Sequence, residues 1–175
     1  LAPIFPLGLA SLKASLSPDH QVEIFDPNIE EGGLESLLRF ITDFQPEVIG
    51  LSLRNIDTGQ STEPISFIPG LASTLKTIKA CIPDVLLIAG GSGFSIFAKE
   101  LMVRFQDIDI GVWGEAEVTL KGILSNLDRL EKVKGIFLRN GQEIIFTGKP
   151  RPVDIDALPS PDRVYHLSTY TKKCG

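Results

Sequence analysis

The sequence lacks the features that mark a membrane protein, a nucleic-acid-binding protein or a disulfide-bonded secreted domain. No apolar run approaches the roughly eighteen residues of a membrane span, and no basic stretch precedes an apolar one near Leu1, so we expect neither a span nor a signal peptide. The 17 basic residues are scattered among 22 acidic ones, which argues against nucleic acid as a partner. The two cysteines, Cys81 and Cys174, do not resemble a disulfide framework. The composition predicts a cytoplasmic domain and leaves its oligomeric state open.

Motifs for nucleotide binding and for nucleophilic catalysis are also missing. The turn Gly90-Gly91-Ser92-Gly93 lacks the third glycine of a dinucleotide fingerprint, and no GxxxxGK[ST] phosphate loop occurs. The two histidines, His20 and His166, lie in a turn and in a linker region, away from the ends of the predicted strands. We therefore predict no catalytic residue, and the sequence alone indicates a binding domain.

What is present is an alternation of strand-like and helix-like segments. Nearly continuous apolar runs are typical of strands buried on both faces, which places 48–53 and 85–89 at the centre of the predicted sheet. Apolar residues three and four apart predict helices between the strands. The alternation predicts a doubly wound, mainly parallel α/β fold of the Rossmann-like or flavodoxin-like kind, with helices on both faces. Strands are predicted over 22–26, 48–53, 85–89 and, nearer an edge, 108–113; helices over 7–16, 34–44, 65–80, 97–105 and 119–127.

The last third of the chain has a different pattern. Asn140-Gly141 separates two strand-like segments, and this pair favours the positive φ angles of a type I′ turn, so a β-hairpin is predicted. Prolines at 150, 152, 159 and 161 then indicate an extended linker. We predict an α/β domain over 1–131, a hairpin extension over 132–147 and a linker over 148–175.

Ligands of open α/β sheets bind beyond the carboxyl ends of the strands, so the turns there are the candidate site. Residues 54–61 form a long, polar turn, for which a solvated loop is the alternative. The glycines of 90–93 allow close approach of a ligand to bare backbone amides. The acidic residues of 114–117 open a helix, where they suit the helix dipole with or without a ligand.

Taken in order, these turns resemble the cobalamin-binding domain at the front of B12-dependent radical SAM enzymes. The matching elements are Pro6-Leu7-Gly8-Leu9-Ala10, a strand ending in Asp26, Ile49-Gly50-Leu51-Ser52, Gly90-Gly91, and Gly114-Glu115-Ala116-Glu117 with Thr119. The segment 158–163 and the approach to Tyr170 resemble that family's passage into its radical SAM barrel. The resemblance covers nearly the whole chain, and the Gly-Glu-Ala-Glu element together with Pro-Asp-Arg is its most telling combination.

The resemblance implies a corrinoid over the carboxyl edge of the sheet, with its nucleotide tail beside the central strands. The first turn would face the corrin or its amides, the glycine turn would let the tail pass, and the third turn would border its base or ribose. An alternative for Arg54 and Asp57 is that they pair with each other. The implied cofactor-binding residues are Ser52, Leu53, Arg54, Asn55, Asp57, Gly90, Gly91, Ser92, Gly93, Gly114, Glu115, Glu117 and Thr119.

Two departures from related patterns bear on this resemblance. The sequence has no Asp-x-His-x-x-Gly element, whose histidine coordinates cobalt in methyltransferase-type B12 domains. Its absence agrees with the radical SAM branch and equally with a domain that binds no cobalamin. Gly90-Gly91 is followed by Ser92-Gly93-Phe94 where the family usually has a proline or threonine and a histidine, so the local contact is expected to differ.

The end of the sequence, Tyr170-Thr171-Lys172-Lys173-Cys174-Gly175, resembles the approach to the cysteine motif of radical SAM enzymes. The resemblance implies Cys174 as the first ligand of a [4Fe-4S] cluster that also binds S-adenosylmethionine. Three thiolates are needed to hold such a cluster, so this chain alone could not. The alternative is an exposed cysteine without a role. Cys81, by contrast, is expected to be a buried structural thiol.

The resemblance implies the cobalamin-binding part of an enzyme that methylates an unactivated carbon, or catalyses a related radical rearrangement, with its radical SAM domain following in the same chain. The alternative is a flavodoxin-like sensor or interaction domain that binds no corrinoid. A flavin-binding domain ranks lower, because Ile4-Phe5-Pro6-Leu7-Gly8 supplies no Ser/Thr-rich phosphate loop.

Overall fold

The computed structural model describes residues 4–60, 62–164 and 167–174, the last segment without the side chains of residues 167 and 172–174. Among these residues, no helix is both long enough and apolar enough to cross a membrane. The helices are α1 (Leu7–Leu16), α2 (Leu34–Phe44), α3 (Ile68–Cys81), α4 (Ser92–Ile96), α5 (Ala98–Arg104), α6 (Glu117–Leu124) and α7 (Leu167–Cys174). The strands are β1 (Val48–Ser52), β2 (Leu86–Gly90), β3 (Ile110–Val112), β4 (Ile136–Asn140) and β5 (Glu143–Phe146).

The chain folds as two units. Unit 1 comprises Leu1–Phe44 and Asp154–Gly175, and unit 2 comprises Gln45–Val153. Unit 1 contains α1, α2 and α7, and unit 2 contains the sheet and the remaining helices. The boundaries predicted at residues 131 and 147 stay predictions.

One strand prediction in unit 1 is wrong. Residues 22–26 form no strand, although Ile24 and Asp26 are buried. A strand needs a hydrogen-bonded neighbour, and no described segment pairs with these residues. The turn predicted after them does form, because Oδ1 of Asp26 accepts a hydrogen bond from the backbone N–H of Asn28 at 2.9 Å.

Unit 2 is built on a five-stranded sheet in the order β1-β2-β3-β4-β5. The first three strands are parallel, and β4 and β5 are added antiparallel as the predicted hairpin, in which Gly141 has a φ of 60°. The register places Ser52 beside Gly90 and Ala89 beside Gly111, so the carboxyl ends of β1, β2 and β3 lie at one edge. The predicted mainly parallel α/β fold is confirmed.

The order of the strands corrects two expectations about burial. β3, expected nearer an edge, is the middle strand and is buried throughout, because the hairpin covers its second side. β1, expected at the centre, is the outer strand of the described sheet and is only partly buried. Continuous apolar runs therefore identified the strands but not their order.

The core of unit 2 lies around β3. Gly111 is necessary there, since a methyl group at this position would lie 2.7 Å from Sδ of Met102 and 3.0 Å from the ring of Phe94. Both of these side chains are fully buried. The buried cluster beside them consists of Ile88, Ile110, Val112, Ile123, Val133 and Ile136.

The helices of unit 2 differ from the predicted ones at their starts. The helix predicted over 97–105 begins one residue later, as α5, because Phe97 leaves helical geometry with φ −122° and ψ 27°. The short helix α4, which precedes it, was not predicted. α3 starts at Ile68 rather than residue 65, because the backbone N–H of Phe67 donates to Ile56 O at 2.8 Å in an antiparallel pairing. Cys81, expected to be buried, is exposed at the end of α3.

Candidate functional site

Three turns meet at the carboxyl edge of the parallel strands. The first turn (residues 53–59) follows β1, the second turn (residues 91–95) follows β2, and the third turn (residues 113–117) follows β3. Since these strands are neighbours and parallel, the turns lie side by side. The structure thus brings the three predicted segments together within unit 2.

Hydrogen bonds join the first turn to the second. The backbone N–H of Leu53 donates to Gly90 O at 2.8 Å, and that of Phe94 donates to Leu53 O at 3.1 Å. The hydroxyl of Ser92 donates to Arg54 O at 2.9 Å. Because these bonds satisfy both backbone groups of Leu53 and the carbonyl of Arg54, the first turn leaves β1 in a fixed direction.

Two glycines of the second turn are required by this contact. A methyl group at Gly91 would lie 2.8 Å from Leu53 O, and one at Gly93 would lie 2.8 Å from Arg54 O. Gly91 also has a φ of 98°, which a residue with a side chain rarely adopts. The space that these glycines leave is therefore occupied by the backbone of the first turn.

Ser95 joins the second turn to the third. Its hydroxyl donates to Gly91 O at 2.9 Å and accepts the backbone N–H of Gly114 at 3.1 Å. Gly114 has a φ of 77°, and a methyl group there would meet no other heavy atom within 4 Å. The third turn thus has an open side beside its backbone. Sequence analysis missed Ser95, because a serine three residues into a helix carries no signal of its own.

The first turn is held in shape by its own hydrogen bonds. Oδ1 of Asp57 accepts the backbone N–H of Gly59 at 2.8 Å. The backbones of Asp57 and Ser66 also form an isolated antiparallel bridge across the loop. The alternative in which Arg54 pairs with Asp57 is wrong, since no ion pair joins these two described side chains. Arg54 and Asn55 are exposed.

A cleft of about 230 Å³ opens between the first turn and the start of α5. Two apolar side chains that sequence analysis did not select line it, Ile96 with 73% and Phe97 with 38% of its surface exposed. Exposed neighbouring apolar residues beside a cleft are typical of a surface that another molecule covers. The lining is completed by Arg54, Asn55, Ile56, Asp57, Thr58, Gly59 and Gly93.

The remaining predicted residues differ in accessibility. Ser52 and Glu115 are exposed, whereas Glu117 is half-buried in the first turn of α6. Thr119 is 4% exposed, and its hydroxyl donates to Glu115 O at 3.2 Å. The hydroxyl of this threonine is therefore bonded to the backbone at the start of α6 and is not directed at the edge of the sheet.

The metal prediction falls outside the described side chains. Cys174 is the last residue of α7, but its side chain is not described. The described residues include no group of three or more histidine, cysteine or acidic side chains suited to a metal ion. The described part of the chain thus does not fit an iron-sulfur cluster, and the assignment of Cys174 stays a prediction.

A comparison with protein families decides the relationship of this chain. The sequence model of the B12 binding domain matches residues 2–124. The chain belongs to the B12 binding domain family. The three joined turns are the carboxyl edge of that family's sheet in this chain, and the family predicted from the order of the turns is confirmed.

Proteins similar to this B12 binding domain chain include a methyltransferase and a radical SAM enzyme of known structure. The uncharacterized methyltransferase PH0819 of Pyrococcus horikoshii is 26% identical over 162 residues, which cover 89% of this chain and 33% of that protein. The structure of the radical SAM methyltransferase TsrM from Kitasatospora setae, with cobalamin and a [4Fe-4S] cluster bound, has a TM-score of 0.76 and 21% identity over 91% of this chain and 29% of TsrM.

A further solved structure supports the same fold. The cobalamin-dependent radical enzyme OxsB, with aqua-cobalamin and S-adenosylmethionine bound, has a TM-score of 0.80 and 20% identity over 99% of this chain and 23% of OxsB. The B12 binding domain chain thus spans about a third or less of the length of each of these proteins.

Proposed function

We propose that this chain binds cobalamin across the carboxyl edge of its sheet, as the cofactor-binding part of a B12-dependent radical SAM methyltransferase. The observation that carries the proposal is the set of three turns that hydrogen bonds hold together beside an open cleft. Ligands of open parallel sheets bind at this edge. The membership of the B12 binding domain family supports cobalamin as the ligand.

The residues around the cleft fit the chemistry of a corrinoid. The corrin ring carries many amide groups on an otherwise apolar frame, and the cleft offers both kinds of partner. Arg54 and Asn55 present exposed donors, while Ile96 and Phe97 present exposed apolar surface. A cleft of about 230 Å³ is too small to enclose a corrinoid, so the cofactor would lie across the edge with one part in the cleft.

Each turn would then have its own task. Arg54 and Asn55 would bind the amides of the ring, and the hydrogen bonds of Asp57 would hold their turn in place. Gly114, with its open side, would leave room for the nucleotide tail beside the third turn. Once bound, the corrinoid would supply methyl transfer. The described residues around the cleft contain no imidazole, so none of them would offer cobalt a histidine ligand.

The catalytic part of the proposal concerns a further domain, separate from this cleft. TsrM and OxsB support a radical SAM domain that follows in the same chain and carries a [4Fe-4S] cluster and S-adenosylmethionine. Cys174 would be the first of three thiolate ligands of that cluster. Two further cysteines, at the spacing Cys-x-x-x-Cys-x-x-Cys from Cys174, are expected in the encoding gene. A gene without them would contradict this part.

Cobalamin binding is tested directly by mixing the purified chain with hydroxocobalamin and separating it by gel filtration. We expect the visible absorbance of the corrinoid to elute with the protein at about one cobalamin per chain. A protein fraction that is folded but colourless would contradict the proposal and favour a flavodoxin-like domain that binds no corrinoid.

A matched pair of arginine variants tests where the cofactor lies. Arg54→Met should weaken cobalamin binding about tenfold, since a hydrogen bond from a charged donor is lost. Arg104→Met is the control, because exposed Arg104 ends α5, which leads into the start of β3, and it therefore lies toward the opposite edge. Spectrophotometric titration measures both. Equal affinities for the two variants would argue against the carboxyl edge as the binding surface.

A further inference from the structure

A buried hydrogen bond in unit 1 joins two residues that are 144 positions apart in the sequence. The hydroxyl of Tyr170, in α7, donates to Oδ2 of Asp26, in the turn before α2. Only 4% of Tyr170 and 5% of Asp26 is exposed. A hydrogen bond to a carboxylate is strengthened by its charge, and here it lies out of contact with solvent.

Asp26 is held in position independently of Tyr170. Its Oδ1 accepts from the backbone N–H of Asn28 at 2.9 Å and from Nδ2 of the same residue at 2.6 Å. The other oxygen of the carboxylate is thereby oriented toward Tyr170. The ring of Phe5 packs edge-on against the tyrosine ring, with 5.4 Å between centroids.

Helix α7 depends on this contact for its position. The helix has eight residues, and an isolated helix of that length is unstable in water. Among the α7 side chains that the structure describes, Tyr170 is the buried one, while Ser168 and Thr171 are exposed. The burial of Tyr170 and its bond to Asp26 therefore keep α7 folded against the rest of unit 1.

We infer that Asp26 and Tyr170 form a latch that fixes α7 and thereby sets the position and direction of the chain at Lys172, Lys173 and Cys174. Asp26 is thus a positioning residue for the end of α7. The inference rests on the proposed function only where α7 is taken as the connection to a catalytic domain. The latch itself lies within unit 1 and involves neither the cleft nor its cofactor.

Hydrogen exchange measured by mass spectrometry tests the latch in the chain without cobalamin. In Asp26→Ala and in Tyr170→Phe, the backbone amides of 170–174 should exchange about tenfold faster than in the natural sequence. Tyr170→Phe keeps the ring and its contact with Phe5, so it removes only the hydroxyl. The double variant should exchange no faster than the faster single variant, because both changes break one interaction.

The amides of β2 and a second aspartate separate the latch from a general loss of stability. The β2 amides should exchange at an unchanged rate in all variants. Asp19→Ala is the matched control, because Asp19 is exposed in the turn after α1 of the same unit and its loss should leave α7 unchanged. Unchanged exchange in α7, additive effects in the double variant, or faster exchange in β2 in parallel with α7 would each overturn the inference.

Nuclear magnetic resonance gives a direct view of the bond. The chain has two tyrosines, so with labelled tyrosine the Cζ resonance of Tyr170 is the one that Tyr170→Phe removes. Asp26→Asn should shift this resonance, because a neutral amide replaces the carboxylate acceptor. An unshifted resonance would contradict the bond. None of these measurements involves cobalamin, so a failure of the latch and a failure of cofactor binding are distinguishable.

Discussion

Gly93→Ala should destabilise unit 2 by about 1–3 kcal/mol, the usual cost of forcing an extra methyl group into a filled space. The added Cβ would lie 2.8 Å from Arg54 O and 2.9 Å from its carbonyl carbon. Because both are backbone atoms, the clash is relieved only if the first turn moves away from the second. The hydrogen bond from Ser92 to Arg54 O would lengthen with that movement. Urea unfolding of the purified variant measures the loss.

Gly70→Ala is the matched control for this prediction. Both glycines lie in helices and neither has a positive φ, but a methyl group at Gly70 would meet no other heavy atom within 4 Å. Gly70→Ala should therefore leave stability unchanged or raise it by up to about 1 kcal/mol, the gain in helix propensity. If the two variants unfold at the same urea concentration, the close contact between the first and second turns is wrong.

Gly93→Ala should also weaken cobalamin binding if the proposed function is right. Arg54 and Asn55 are positioned by the backbone that the new methyl group displaces. Spectrophotometric titration under conditions where the variant remains folded separates this effect from the loss of stability. Binding equal to that of the natural sequence would show that the first turn does not contact the corrinoid.

The sequence predicted the elements of unit 2 better than their order. The spacing of apolar residues alone distinguished the strands from the helices, because a buried parallel strand has a continuous apolar run and an amphipathic helix has apolar residues three and four apart. The position of a strand depends on its neighbours, which local pattern does not contain. β3 became the middle strand because the hairpin pairs with it, and residues 22–26 formed no strand because no described segment pairs with them.

The candidate site was predictable where it depends on where strands end. The rule that turns follow the carboxyl ends of parallel strands located Arg54, Gly93 and Gly114 at one edge. The same rule could not reveal that Gly91 and Gly93 face the first turn, since that contact depends on residues almost forty positions away. Such glycines look alike in sequence whether a ligand or the protein's own backbone fills the space beside them.

Ile96 and Phe97 were missed for a related reason. Apolar residues of a predicted helix are assigned to the core, as Phe97 was in the helix predicted over 97–105, and Ile96 lies between that helix and the predicted glycine turn. The break at Phe97 separates α4 from α5 and leaves both side chains at the cleft. No proline or glycine stands at Phe97 to indicate this break between the helices. Only the folded structure therefore reveals which apolar residues remain exposed.

Truncation of two phenylalanines three positions apart should change the stability of unit 2 to very different extents. Phe94 is fully buried, and its ring lies against Gly111 under the second turn, so Phe94→Ala should cost about 3–5 kcal/mol of stability. Phe97 is 38% exposed and lines the cleft, so Phe97→Ala should change stability far less. Urea unfolding of the two variants, with Phe94→Leu as a milder substitution that keeps most of the buried volume, measures the difference.

The affinity for cobalamin should show the reverse order. A corrinoid lying across the carboxyl edge would cover the exposed part of Phe97, so Phe97→Ala should weaken binding about tenfold through lost apolar contact. Phe94→Leu, which remains folded and leaves the cleft surface intact, should bind cobalamin with nearly unchanged affinity. The two positions are thus distinguished, because substitution of Phe94 lowers mainly the stability and substitution of Phe97 lowers mainly the affinity for cobalamin. A Phe97→Ala protein that binds cobalamin as tightly as the natural sequence would contradict a position of the cofactor at the start of α5.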